Sequence, residues 1–282
     1  MFLGYNTNGF AHHRLEDAIE ILAELGYRGI ALTPDVNHLD PFIKSDFGDD
    51  PLPYRLGIVA GDLELHRLEC VIETGSRFLL NSRIKHQPTL ISPEADDREY
   101  RFDFLRDCLD LAVGVRAKIL SFWSGTATDD ATPRALMLRL VENCKRLADL
   151  AAKTGARLAF EPEPGMFIDT MDKFAELHAK VNHPAFGLTL DIGHLVCQNE
   201  LPVSKHLEAW KHMLWNVHIE DMKSSVHDHL MFGEGDVDFD DVFAGLRAAN
   251  YTGGVYVELS RHSYDAVNTA RRAKAFLDRY VN

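Results

Sequence analysis

The sequence predicts an α/β fold, a single (β/α)8 barrel spanning residues 1–282. Three observations predict it. Short apolar runs alternate with stretches of helical periodicity along the chain, and eight such pairs can be marked. Those runs are continuous rather than alternating with polar residues, the pattern of strands buried on both faces of a parallel sheet. A length of 282 residues is ordinary for a closed barrel of eight such units. No GxGxxG follows the first run, which counts against an open dinucleotide-binding sheet.

Residues 2–5 form the first strand, with Asn6 and Asn8 just past its end. Leu15, Ala18, Ile19, Leu22 and Ala23 recur at helical spacing until Gly26. The second strand is 27–33, followed by a polar loop through Asp35, His38 and Asp40. After a breaker cluster at 49–53, a helix runs to His66 despite Gly57 and Gly61. Residues 68–74 read as the third strand, and 77–93 as a long loop of the kind that usually carries function. Phe102, Leu105, Leu109, Ala112 and Val113 mark the next helix, and 118–123 the fourth strand. Leu136, Leu140, Val141, Cys144, Leu147, Ala148 and Ala151 form a helical stripe that ends near Gly155.

The second half is more regular. The fifth strand is 157–161, then EPEPG, then a helix capped by Asp169 or Thr170 and carrying Phe174 and Leu177. The sixth strand is 186–191, and a weaker helix at 207–212 precedes the seventh strand, 214–217, which delivers His218 to its end. A Gly-Glu-Gly-Asp turn leads to a helix capped by Asp238 and lined by Phe239, Val242, Phe243 and Leu246. The eighth strand is 254–258, and Ala266, Ala270, Ala273, Phe276 and Leu277 line the closing helix.

Composition narrows the class. A hydrophobic fraction of 46% supports a large core, and 26% charged residues argues against disorder. Asp plus Glu number 43 against 30 Lys plus Arg, a net charge of −13 that repels phosphate backbones, so no nucleic-acid partner is expected. No apolar run approaches the roughly eighteen residues of a membrane helix, so no membrane partner is expected either. The N-terminal MFLGYNTNGFAHH has neither a basic region nor a long apolar segment, so no signal peptide is assigned and a cytoplasmic protein is expected. Cys70, Cys108, Cys144 and Cys197 form no CxxC pair and read as reduced, partly buried thiols. Composition leaves open whether the chain forms a homo-oligomer.

The chemistry is written at strand ends. LAFE ends in Glu161, LTLD in Asp191 and VYVE in Glu258, and His218 follows the seventh apolar run. Singly, each reads as a surface carboxylate or a core histidine. Together they occupy the last four strand ends of a barrel, the face on which such barrels build active sites. Three carboxylates and one imidazole suit one divalent ion, Mn²⁺ foremost, with Mg²⁺, Co²⁺ or Zn²⁺ as alternatives. Glu163 is the alternative ligand to Glu161, which is preferred because it directly follows the apolar run.

DIGH at 191–194, HIEDMK at 218–223, HLMFGEGDVDF at 229–239 and VELS at 257–260 resemble the xylose-isomerase-like TIM-barrel superfamily. That superfamily includes sugar and sugar-phosphate isomerases and epimerases, inosose dehydratases and endonuclease IV. The resemblance covers the architecture of the whole chain and is motif-specific over the second half. It implies a metal held by Glu161, Asp191, His218 and Glu258. In the ketose epimerase branch it also implies that Glu161 and Glu258 act as an acid/base pair on opposite faces of the substrate, and that His194 contacts the substrate.

The implied reaction is proton abstraction next to the carbonyl of a ketose, keto-sugar or sugar phosphate, through a metal-stabilised enediolate that is then reprotonated. The alternative is a lyase or dehydratase in which a keto-sugar or 3-keto-glycoside expels a β-substituent instead. An endonuclease IV-like phosphodiesterase shares Glu161, Asp191, His194, His218, His229 and Glu258. It also needs histidines at the ends of strands three and four, which here read CVIETG and LSFWSG. A non-catalytic sugar-binding barrel has no use for paired glutamates around a metal. Among lesser candidates, Trp123 reads as a sugar-stacking ring or a buried core residue. Arg77, Lys85 and His86 read as an anion grip or a solvated loop. His229 reads as a substrate-contacting, outer-layer or surface histidine, and His227 as an outer-layer or surface one, with surface preferred. Phe167, Phe232 and Tyr5 read as pocket wall or core.

Overall fold

The computed structural model describes residues 1–43 and 52–281. Its strands are β1 (Phe2–Asn6), β2 (Gly29–Leu32), β3 (Glu69–Glu73), β4 (Ile119–Phe122) and β5 (Arg157–Phe160), then β6 (Phe186–Asp191), β7 (Leu214–Ile219), β8 (Asp221–Lys223), β9 (Val226–Leu230) and β10 (Gly254–Val257). All but β8 and β9 are parallel and close into one barrel in the order β1-β10-β7-β6-β5-β4-β3-β2. The eight-unit barrel read from the sequence is therefore present. β8 and β9 form a separate antiparallel hairpin inserted after β7.

The helices are α1 (Leu15–Glu24), α2 (Leu52–His66), α3 (Ala95–Gly114), α4 (Pro133–Thr154) and α5 (Met171–Val181), then α6 (Ile192–Cys197), α7 (Val203–Trp210), α8 (Phe239–Ala248) and α9 (Ala266–Val281). Their ends follow local chemistry. Thr132 accepts from the Ala135 amide to open α4, Pro133 sits where its missing N–H costs nothing, and Gly155 closes the helix in the left-handed region at φ 75°. Thr170, rather than Asp169, caps α5, and Asp238 caps α8. Between α5 and the barrel, Phe122, Phe160, Phe174 and Phe186 form one ring cluster, with Phe160 and Phe174 stacked at 6.1 Å. Burying each such ring contributes about 1.5–3 kcal/mol.

Three local expectations are corrected. The helix expected at 207–212 lies earlier, as α7, because Pro202 starts it and the chain must turn at Lys211 to Met213 to enter β7. The seventh strand runs through His218 to Ile219, so His218 lies within it rather than after it. The single turn α6 and the hairpin are additions to the elements expected. Of the breaker cluster at 49–53, residues 49–51 lie outside the described residues. Among the described residues no helix is long and apolar enough to cross a membrane.

Sheet register sets the candidate ligands side by side. Asp191 of β6 pairs with His218 of β7, and His218 in turn pairs with Tyr256 of β10, two residues before Glu258. Ligands that are 27 and 40 residues apart in sequence thus become lateral neighbours at one end of the barrel.

Candidate metal centre

Glu161, Asp191, His218 and Glu258 each bring one ligand atom to within 4.8 Å of all the others. The imidazole of His218 lies at the middle. Its Nδ1 is 3.0 Å from Oε1 of Glu161 and 3.1 Å from Oε2 of Glu258. Its Nε2 faces the barrel interior, 3.0 Å from Nδ2 of Asn216 and 3.6 Å from Oε2 of Glu73. Asn216 reaches Thr189, which donates to Ser121, so a polar chain crosses the barrel beneath the site.

Each carboxylate is aimed by a neighbour. Asn8, just past β1, donates to Oε1 of Glu258 at 2.9 Å. Asp191 caps α6, its Oδ1 accepting from the His194 amide at 2.9 Å, while no N–H or hydroxyl reaches its Oδ2. Gly193 is required in this turn, because a Cβ there would lie 1.9 Å from Oε1 of Glu220. Glu220 is fully buried, and burial and then Asp191 push its carboxyl well up.

The electrostatics favour a cation. Burial opposes charge on His218, yet Glu161 and then Glu258 pull its pKa well above the ordinary range. Glu258 is likewise disfavoured by burial, but its bond to His218 brings it below the ordinary carboxylate range. Glu73, buried against the same ring, is pushed up to about 7. A cluster that draws positive charge into a buried place, and leaves an oxygen of Asp191 and one of Glu73 without donors, suits a divalent ion. The donor set of three carboxylates and one imidazole agrees.

The cluster lies at the floor of a pocket of about 510 Å³. His194, His229, Trp123, Arg77, Lys85 and His86 all line it, as does Glu163. Glu163 is outside the four-atom cluster, so geometry favours Glu161 over it. His227, expected at the surface, instead lies half-buried on the pocket wall with its Nε2 3.1 Å from Nε2 of His194. The reason is the β8–β9 hairpin, which folds His227 and His229 back over the barrel mouth. One buried carboxylate holds it there: Asp221 accepts from the amides of Met222 (3.0 Å), Gly233 (2.8 Å) and Val237 (3.2 Å). Tyr5 and Phe232 are core residues, and Phe167 packs against the core.

Residues that the sequence reading did not assign to the site are Glu73, Asn216, Glu220 and Asn8. Glu73 ends an apolar strand just as Glu161 does, so the same signal marked it. Asn216 and Glu220 flank His218 at a spacing of two, which in a strand places all three side chains on one face.

A family model described as "Xylose isomerase-like TIM barrel" matches residues 19–280. The chain belongs to the xylose isomerase-like TIM barrel family. Within this family, an L-ribulose-5-phosphate 3-epimerase, UlaE, of Salmonella paratyphi C is 25% identical over 193 residues, 68% of each chain. A solved D-allulose 3-epimerase from Methylomonas sp. has the same fold, with a TM-score of 0.77 at 19% identity, covering 100% of this chain and 98% of that one. A structure of the IolI protein with a bound zinc atom superposes with a TM-score of 0.79 at 17% identity, covering 100% and 98%.

Proposed function

We propose that this member of the family is a divalent-metal-dependent epimerase of a ketose or keto-sugar, acting at the carbon beside the carbonyl. The observation that carries it is the placement of Glu161 and Glu258 either side of His218 Nδ1, at 3.0 and 3.1 Å, on the floor of a pocket sized for a small sugar. The 3-epimerases among its similar proteins support the reading. Glu161, Asp191, His218 and Glu258 would hold the ion, with Mn²⁺ foremost for this donor set. A divalent ion there supplies the charge that acidifies a C–H next to a carbonyl.

The chain's own residues do the rest. One of the two glutamates removes the proton and the other returns one to the opposite face, which inverts the carbon. Asn8 fixes the angle of Glu258. His194 has its Nδ1 against the carbonyl of Pro162 at 3.1 Å, and His229 has its Nδ1 against that of Glu258 at 3.1 Å. Each ring therefore donates through Nδ1; the Nε2 of His194 faces Nε2 of His227, and that of His229 keeps a lone pair, the acceptor that suits a sugar hydroxyl. Trp123 offers an apolar edge for the sugar's C–H groups.

The test is turnover of a ketose panel in D₂O, read by NMR. Deuterium should enter at the carbon beside the carbonyl, and both epimers should appear. Glu161→Gln and Glu258→Gln should each lose at least roughly 10²–10⁴-fold in kcat. A hydrogen that moves intact between adjacent carbons, with no deuterium taken up, would replace the paired-glutamate mechanism with a hydride shift. An unsaturated product or a released aglycone would assign the lyase outcome.

A further inference from the structure

Three cations crowd around His86. Arg77 and Lys85, from the loop after β3, line the pocket beside it. Arg101 of α3 lies behind the wall, only 1% exposed. Its guanidinium sits 4.4 Å from the ring centre of Trp123 and 5.0 Å from that of Phe104. Nη2 donates to the carbonyl of Thr74 at 3.3 Å, and Nη1 has no partner. A buried guanidinium without a paired carboxylate is costly, and here it makes one wall of the pocket positive. Burial and then Lys85, Arg101 and Arg77 push the His86 imidazole down to about 3, so the ring stays neutral among them.

Glu73, Glu161, Glu163 and Glu258 line the same pocket. The charge of Lys85 is felt by both His86 and Glu163. A third pocket-lining cation, Arg261, is paired with Asp228 at 2.5 Å. Arg77 and Lys85 have no ion pair with any acid among the described residues, in a chain whose 43 acids outnumber 30 bases. Cations left unpaired in a concave site of so acidic a chain are free to meet a ligand.

We propose that the substrate carries an anionic group, a phosphate or a carboxylate, at the end remote from its carbonyl, received by Arg77 and Lys85 of the pocket lining. This deepens the epimerase reading and rests on it for the orientation: the carboxylates take the carbonyl end, and Arg77 and Lys85 take the anion. Arg77 supplies a planar fork and Lys85 a mobile point charge, the usual complement for such a group. Arg101 touches no substrate. It strengthens the positive field in a low-dielectric wall and holds Trp123 by its ring face.

The test compares kcat/KM for ribulose, ribulose 5-phosphate and a ketouronate of similar length. One of the two anions should be preferred by roughly 100-fold or more, and which one identifies the group. Arg77→Ala and Lys85→Ala should each cut that preference roughly tenfold to a hundredfold, through KM far more than kcat. An equal or greater kcat/KM for the neutral ketose overturns the proposal, and so does a preference that survives in the double variant. If no sugar is turned over, inorganic phosphate is titrated into wild type and double variant at matched metal content. Tighter binding by wild type then upholds the anion subsite and sinks only the epimerase reading. Equal binding sinks the subsite.

Discussion

Gly235 is the second glycine of the Gly-Glu-Gly-Asp turn, and replacing it with alanine tests how the pocket wall is held. A Cβ at this position would lie 2.3 Å from Oδ1 and 2.7 Å from Cγ of Asp221, and 2.6 Å from the Met222 amide nitrogen. None of these atoms is the loose end of a flexible chain. Asp221 is 1% exposed and holds three backbone amides, so its carboxylate can move only by breaking bonds. Overpacking costs about 1–3 kcal/mol. Loss of one N–H to carboxylate bond adds about 1.5–3 kcal/mol, for a total of about 2.5–6 kcal/mol. At about 2 °C per kcal/mol for a chain of this size, Tm should fall by roughly 5–12 °C in scanning calorimetry. The internal control is Gly57→Ala or Gly61→Ala. Both positions lie inside α2 with nothing within 4 Å of the added carbon, so each should stabilise by about 0.5–1 kcal/mol. A Gly235→Ala protein melting within a degree or two of wild type would refute the packing argument, and with it the account of how the hairpin is pinned.

Other outcomes come from the site itself. Asp191→Asn and His218→Ala should each lower bound divalent metal measured by elemental analysis, and full occupancy in both would move the ion elsewhere. Asn216→Leu removes the group that faces Nε2 of His218, so metal affinity should drop roughly 10- to 100-fold, measured by competition with a chelator. Acid should weaken the fold through His86, whose folded pKa of about 3 lies below the ordinary imidazole value. Its unfolded form takes up a proton below about 6.5 and its folded form does not, so stability is complete above that pH and drains away as pH falls toward 3, at up to about 1.4 kcal/mol per pH unit. His86→Gln should flatten the fall of Tm between pH 6.5 and 4, and an unchanged slope would remove His86 from that role.

Most of the barrel was legible because its signals are local. Continuous apolar runs, cap residues such as Thr132 and Asp238, and stops such as Gly26 and Gly155 each act within a few residues. The four-ligand cluster was legible because strand ends converge in any such barrel, whatever lies between them in sequence. The β8–β9 hairpin was hidden because its strands are short and largely polar, and because one of its own carboxylates, Asp221, holds it through backbone amides. His227 was misjudged for the same reason: burial of a histidine on a hairpin depends on where the hairpin folds, and no period in the sequence encodes that. Arg101 reads as one more polar residue on α3, and only the assembled barrel puts it behind Trp123.

The hairpin divides labour within one small site. The carboxylates and imidazole proposed to handle charge and protons sit on or just past strands locked into a closed sheet, where a change of position is resisted from both sides. The imidazoles at 227 and 229 hang on an insert moored by one carboxylate and fitted by one glycine. A lineage can therefore exchange the insert, or a laboratory can graft another of the same footing, and reshape the pocket mouth while the strand-end cluster beneath is inherited intact.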